Sequence, residues 1–183
     1  MTRIVVIDNH GQFTHLEGRA LRDVGVDTDI IDNTTPPAEI DADGLVLSGG
    51  PSMERTGRVT EYLEMDVPVL GICLGLQVMA AELGGAVGSG DYGGYADVEV
   101  EIIDETDPLV GSLAPSTRTW ASHADEVTEL PEGFVRTATS DVCAIEAMSD
   151  TDRDLYGVQW HPEVAHTAEG QALFENFVEI CRR

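Results

Sequence analysis

The chain has 183 residues, of which 42% are hydrophobic, and this is enough for one domain with a sizeable core. Acidic residues number 34 against 10 basic ones, which gives a formal net charge of -24. This charge argues against nucleic acid as a partner, because phosphate neutralisation needs the opposite sign. It predicts instead a solvated surface suited to high salt, where screening weakens the repulsion between carboxylates.

The first half of the chain alternates apolar strands with amphipathic helices. Strands are predicted at 3–8, 27–32, 44–48 and 67–71, and helices at 13–24, 57–65 and 74–83. This alternation is typical of a parallel sheet with helices on both faces.

The second half changes character. Val98, Val100 and Ile102 alternate with acidic residues, which predicts a half-buried strand. Short strands are expected near 117–122, 134–139, 143–148 and 155–160, followed by a closing helix at 168–181. Together the two halves predict a single α/β domain over 1–183, with a mixed, mostly parallel sheet and an antiparallel extension. No apolar run reaches the roughly 20 residues of a membrane span, and a cytoplasmic location is expected.

One cysteine lies where a predicted strand passes into a helix. The segment 71–77 reads Gly-Ile-Cys-Leu-Gly-Leu-Gln, with Cys73 between two glycines. A tight turn of this kind exposes a nucleophile in α/β hydrolases. We expect the unpaired N–H groups and the positive end of the helix dipole to favour the thiolate.

A histidine and a glutamate follow another predicted strand. Segment 156–163 ends in His161-Pro162-Glu163. If the backbone is extended there, His161 and Glu163 point to the same side, so the carboxylate can orient the imidazole. The sequence therefore predicts a Cys73–His161–Glu163 triad assembled from distant segments.

Two further segments offer polar contacts. Ser48-Gly49-Gly50-Pro51 follows an apolar strand, and glycines there can aim backbone N–H groups at a developing oxyanion. We expect the amides of Gly50 and Leu74 to form this oxyanion hole. In segment 119–127, Ser122, His123 and Asp125 could contact a small zwitterion, although the segment by itself resembles an ordinary polar turn.

The other two cysteines predict no special chemistry. Cys143 is expected in a core strand and Cys181 near the end of the last helix. Three cysteines without Cys-x-x-Cys spacing indicate neither a disulfide framework nor a zinc site, and no metal site is predicted.

These motifs, in this order, resemble the class I (triad-type) glutamine amidotransferases. Gly-x-Cys-x-Gly-x-Gln, Ser-Gly-Gly-Pro and His-Pro-Glu form the signature of that superfamily, and the match runs along the whole chain. The resemblance implies a flavodoxin-like fold and hydrolysis of glutamine to glutamate and ammonia. Gln77, Ser122, His123 and Asp125 are the candidates for contacts to the polar ends of glutamine.

Within that superfamily, Asp8-Asn9-His10-Gly11-Gln12, Ser122-His123-Ala124-Asp125 and segment 161–167 look most like the glutaminase of GMP synthase. The chain shows no Ser-Gly-Gly-x-Asp-Ser phosphate loop, so it resembles a glutaminase made as a separate small protein. The resemblance implies no cofactor in this chain. ATP and Mg²⁺ are expected on a partner, an ATP pyrophosphatase (synthetase) subunit that converts XMP to GMP.

Alternatives remain open at this point. The glutaminase subunits of anthranilate synthase and aminodeoxychorismate synthase share the triad and differ in the peripheral segments. A peptidase or γ-glutamyl hydrolase of similar fold would need no synthetase, and a non-enzymatic binding module would need no triad.

Overall fold

The computed structural model describes residues 1–91, 93 and 95–183. Its strands are β1 (Arg3–Asp8), β2 (Asp27–Asp32), β3 (Gly44–Leu47), β4 (Val69–Ile72), β5 (Ala86–Ile102), β6 (Ser116–Glu129), β7 (Val135–Thr139), β8 (Ala147–Asp150) and β9 (Leu155–Val158). Its α-helices are α1 (Thr14–Asp23), α2 (Val59–Tyr62), α3 (Leu74–Glu82) and α4 (Gly170–Cys181).

Within the part of the chain that the structure describes, the strands form one sheet in the order β2-β1-β3-β4-β9-β8-β7-β5-β6. The first five strands of this order pair in parallel. The remaining pairings are antiparallel, and the long β5–β6 ribbon extends the sheet at one end. The predicted mixed sheet with an antiparallel ribbon is confirmed.

Two hydrophobic cores cover the two faces of the parallel strands. In β1, Ile4 and Val6 belong to one core, whereas Val5 and Ile7 belong to the other. This division follows from the alternation of side chains along a strand. Residues of α1 and α4 complete the first core, and residues of α2 and α3 complete the second. Helices therefore lie on both faces, as the sequence predicted.

Several predicted bounds need correction. The strand expected at 143–148 begins only at Ala147, and Cys143 lies in the preceding loop, although it is buried. β5 begins at Ala86, well before the alternating residues that predicted it, because its first part pairs with β6. α2 is limited to Val59–Tyr62. No α-helix in the described ranges is both long and apolar enough to cross a bilayer.

Candidate active site

The predicted catalytic segments meet at one edge of the sheet. β3, β4 and β9 are neighbouring parallel strands, and their carboxyl ends lead into Ser48, Cys73 and His161 respectively. Ligands of open α/β sheets bind outside the carboxyl ends of the strands. The sheet order therefore brings together residues that are far apart in the sequence.

Cys73 occupies a strained turn between β4 and α3. Its φ of 53° and ψ of -105° lie in a region that residues other than glycine rarely adopt. The flanking glycines allow the turn to pack closely. A Cβ on Gly71 would lie 2.6 Å from the Gly75 carbonyl oxygen, and a Cβ on Gly75 would collide with the Leu47 carbonyl oxygen. The Gly-x-Cys-x-Gly pattern is thus a packing requirement of the elbow.

His161 connects the cysteine to the glutamate. Its Nδ1 lies 2.6 Å from Glu163 Oε1, and its ring and the Cys73 side chain both approach Gly49 and line the same cavity. Burial alone would lower the pKa of His161, but the neighbouring Cys73 and the hydrogen bond to Glu163 raise it above its ordinary value. The arrangement favours an imidazolium beside the Glu163 carboxylate.

The His161–Glu163 contact arises differently from the prediction. Residues 162 and 163 form a turn, not an extended segment, and this turn folds the carboxylate back onto the ring. The segment that follows His161 is hydrogen bonded to β6. The Thr167 hydroxyl donates to the His161 carbonyl oxygen at 2.6 Å and accepts from the Trp120 N–H at 3.0 Å. The histidine loop is therefore held in place on both sides.

A buried polar network positions the predicted oxyanion glycines. The Asn9 backbone N–H donates to Ser48 Oγ at 2.8 Å, and the Asn9 side chain donates to the Ser48 carbonyl oxygen at 3.0 Å. Gly50 lies so close to this network that a Cβ there would collide with the Asn9 carbonyl oxygen and would lie 2.8 Å from the Leu74 side chain. Gly50 and Leu74 are thus neighbours beside Cys73, as an oxyanion hole requires.

A cavity of about 360 Å³ opens over the triad. Its volume falls in the usual range for small-molecule sites. The lining residues come from the loop before α1, from α1, and from the catalytic segments: His10, Gly11, Gln12, Phe13, Thr14, Glu17, Gly49, Gly50, Pro51, Cys73, Ser122, His161 and Glu163.

Of the predicted substrate contacts, Ser122 lines this cavity, whereas Gln77, His123 and Asp125 are not among its described lining residues. Gln77 is buried, and its side-chain amide donates to the Asp125 carbonyl oxygen at 2.9 Å. His123 Nδ1 lies 2.9 Å from the same carbonyl oxygen. These contacts tie α3 to β6, and a direct role of the three side chains in binding glutamine stays a prediction.

Glu17 is a cavity residue that sequence reasoning missed. It is 1% exposed, and burial together with the nearby charge of Glu163 raises its pKa well above the usual value. The signal was present in α1, where the buried residues Thr14, Glu17, Gly18 and Leu21 follow the i, i+3, i+4, i+7 spacing of a core-facing stripe.

Gln159 was also missed. It is fully buried, and its Nε2 donates to Cys73 Sγ at 3.6 Å, while its Oε1 accepts from Gln77 Nε2 at 3.2 Å. The side chain lies one residue beyond β9 and two before His161. It therefore contacts the sulfur from within the protein interior.

A separate cluster could hold a metal ion. A ring nitrogen of His123, the Cys143 sulfur and a carboxylate oxygen of Glu146 lie within 4.8 Å of one another. Burial lowers the pKa of His123 and raises that of the Cys143 thiol, and it raises the pKa of Glu146 to about 7. Sequence spacing did not predict this cluster, because its members come from β6 and from the loop before β8.

Comparisons with known proteins agree with this geometry. The family model described as glutamine amidotransferase class-I matches residues 5–181. The chain is 76% identical to a curated protein of Natronomonas pharaonis that is named as one subunit of glutamine-hydrolyzing GMP synthase, over 99% of this chain and 98% of that protein. It is 71% identical to the protein of the same name from Halobacterium salinarum, over 99% of this chain and all of that protein.

Solved structures show the same fold. A crystal structure of a Thermoplasma acidophilum protein, described as a GMP synthase subunit, superposes with a TM-score of 0.94 at 38% identity, covering 100% of this chain and 94% of that one. A glutamine amidotransferase from Thermotoga maritima, at 22% identity and a TM-score of 0.72, shares the fold over 89% of this chain and 76% of that one. The chain belongs to the class-I glutamine amidotransferase family.

Proposed function

We propose that this chain hydrolyses glutamine and delivers the ammonia to a separate synthetase subunit that forms GMP. The observation that carries the hydrolytic part is the buried Cys73–His161–Glu163 arrangement at the floor of a cavity large enough for an amino acid. The proposed acceptor reaction is supported by the names of the halophilic relatives, which match this chain over almost their whole length.

The reaction follows from the positions of these groups. The Cys73 thiolate attacks the side-chain amide carbon of glutamine, and the amides of Gly50 and Leu74 stabilise the oxyanion. Each such donor is worth roughly 3 kcal/mol in the transition state. His161 then protonates the departing ammonia, which leaves a γ-glutamyl thioester on Cys73.

Release of glutamate reverses the proton transfer. Neutral His161, oriented by Glu163, accepts a proton from water as that water attacks the thioester carbonyl. The same oxyanion donors stabilise the second tetrahedral intermediate. The cysteine leaves as thiolate, and the site returns to the imidazolium–thiolate pair.

The acceptor reaction belongs to a partner protein in this proposal. The partner would bind ATP, Mg²⁺ and XMP and would use ammonia to form GMP, so this chain would need no cofactor for its own step. The cavity opens beside His10 and Gln12, in the exposed loop before α1. This loop is where a partner could receive ammonia.

The test is a reconstitution at high salt. The chain is mixed with the synthetase subunit of the same organism, and GMP formation from XMP and ATP is measured with glutamine and, separately, with ammonium. With glutamine, Cys73→Ala should abolish GMP formation, whereas with ammonium the mixture should stay active. If glutamine is hydrolysed but no GMP forms, the proposed acceptor reaction is rejected. The proposed glutaminase activity is then still supported.

The anthranilate and aminodeoxychorismate synthase glutaminases are the second candidate. They share the triad chemistry, so they are distinguished only by the acceptor. Glutamine-dependent product formation with a chorismate-using partner, in place of the XMP-using one, would move the chain to that group.

A further inference from the structure

The His123, Cys143 and Glu146 cluster lies outside the cavity over Cys73. His123 is on β6, and the other two residues lie in the loop that precedes β8. All three side chains are strongly buried, with exposed fractions of 6%, 2% and 1% in that order. A thiol, an imidazole and a carboxyl group therefore share one water-poor space, and none of the three is among the described lining residues of the cavity over Cys73.

Two of these groups carry an atom without a protein partner. His123 Nε2 and Glu146 Oε2 are buried, and neither has a hydrogen-bond partner among the residues that the structure describes. Native proteins pair nearly all of their buried polar atoms, so two such atoms in one cluster require an explanation. A bound cation would supply the missing partner to both.

The histidine is arranged as a metal ligand would be. Its Nδ1 faces the Asp125 carbonyl oxygen at 2.9 Å, so Nδ1 carries the proton and the lone pair lies on Nε2. Metal-binding histidines usually donate their other N–H to a carbonyl or carboxylate in this way. Glu146 is similarly held, since its Oε1 accepts from the Ser140 hydroxyl at 2.7 Å.

A fourth donor is close. Glu126, also on β6, lies near the Cys143 thiol but outside the group of three mutually close donors, and its Oε2 is buried without a partner in the described part of the chain. Nitrogen, sulfur and carboxylate oxygen together match the ligands of zinc, whereas Mg²⁺ and Ca²⁺ select oxygen alone. Zinc–ligand bonds of about 2.0–2.3 Å would require the donor atoms of His123, Cys143 and Glu146 to move together by about 1 Å, and Glu126 to move farther.

We propose that His123, Cys143 and Glu146, with Glu126 as the fourth donor, bind a structural zinc ion. The ion would join β6 to the loop before β8. β6 also carries Ser122, whose carbonyl oxygen lies 3.9 Å from Cys73 Sγ. Asp125, on the same strand, accepts a hydrogen bond from the Gln77 side chain through its carbonyl oxygen. The site would therefore stabilise the strand that forms one wall of the active site.

The test uses the whole chain, reduced, freed of metal by a chelator and kept at high salt. Co²⁺ is titrated as a spectroscopic probe, because a cobalt–thiolate bond gives a charge-transfer band in the near ultraviolet. Zn²⁺ affinity is then measured by displacement of the cobalt, and the Tm is recorded with and without Zn²⁺. The variants are Cys143→Ser and Glu146→Gln, with Cys181→Ser as the matched control and Cys73→Ala to remove the other thiol beside a histidine.

The proposal predicts one zinc ion per chain, a cobalt–thiolate band and a zinc-dependent rise in Tm in the wild type, C181S and C73A. In C143S the band should disappear, and in both cluster variants zinc affinity should fall by at least about tenfold, a loss that even outer-sphere changes produce at zinc sites. Circular dichroism of the metal-free variants separates this loss from unfolding.

Two results would overturn the proposal. One is a thiolate band and zinc affinity in folded C143S equal to those of the wild type. The other is loss of the band in C73A with retention in C143S, which would place the metal on the catalytic cysteine.

Discussion

His161 Nδ1 and Glu163 Oε1 lie 2.6 Å apart in a pocket where the glutamate side chain is fully buried. This contact fixes the tautomer of the imidazole, so Nε2 is the ring nitrogen that remains for proton transfer. Replacement of Glu163 by Gln keeps the volume and removes the charge, so we expect kcat for glutamine hydrolysis to fall by roughly 10²- to 10⁴-fold. An unchanged Tm with unchanged kcat would show that the carboxylate has no part in the chemistry.

The same variant tests the ionisation of the histidine. The Glu163 hydrogen bond and charge raise the pKa of His161, so their loss must lower it. Because protonated His161 is needed to release ammonia, the alkaline limb of the kcat/KM profile should move to lower pH in E163Q. A limb that stays in place would assign it to another group.

Glu17 allows a comparison between two substitutions. Burial and the Glu163 charge raise its pKa, which favours the neutral, protonated form of the side chain. Gln is also neutral and of similar size, and E17Q should keep glutaminase activity within about threefold of the wild type. E17A creates a buried gap beside the triad, and it should cost about 2 kcal/mol of stability. If E17Q loses activity as E17A does, then Glu17 acts in its charged form.

The role of Gly50 can be separated from a general effect of adding a methyl group. A Cβ at Gly50 would collide with the Asn9 carbonyl oxygen, so G50A must displace the backbone amide that we expect to stabilise the oxyanion. We expect kcat to fall by about 10²- to 10³-fold, the usual cost of losing one oxyanion donor. Gly88→Ala is the matched control, because its Cβ would lie at an ordinary 3.6 Å from Thr128. Equal, small effects of both variants would place the oxyanion donor elsewhere.

The acidic surface predicts a requirement for salt. With 34 acidic and 10 basic residues, repulsion between carboxylates destabilises the folded chain when screening is weak. Dialysis from molar KCl to tens of millimolar should lower the Tm by roughly 10 °C or more, which corresponds to about 3 kcal/mol. A neutral osmolyte of equal osmolarity serves as the control. A Tm that is the same at both salt concentrations would contradict the expectation.

The sequence predicted the parallel half of the fold closely, because each strand there is a buried apolar run that ends in a turn. β1 and β2 have the predicted bounds, and α1 and α3 differ from theirs by one residue at each end or fewer. The prediction of a strand around Cys143 was wrong, because buried loop residues and buried strand residues have similar apolar composition. Only the pairing of β7 with β8 shows where the strand begins.

The site was predicted where residues carry rare motifs, and missed where they carry ordinary ones. Cys73, His161 and Glu163 line one cavity, and His161 is hydrogen bonded to Glu163. Glu17 resembles a solvent-facing glutamate of a helix until the buried spacing of α1 is considered. The His123–Cys143–Glu146 cluster depends on tertiary contacts between segments about 20 residues apart, and no local spacing in the sequence encodes it.

The central claim is that the Cys73 sulfur forms a covalent bond to the substrate. The most direct measurement is mass spectrometry of peptides from the chain after rapid acid quenching during turnover of glutamine. We expect a γ-glutamyl adduct on the peptide that contains Cys73 and none on those that contain Cys143 or Cys181. Glutamate formation by C73A at the wild-type rate, or an adduct on another cysteine, would contradict the account.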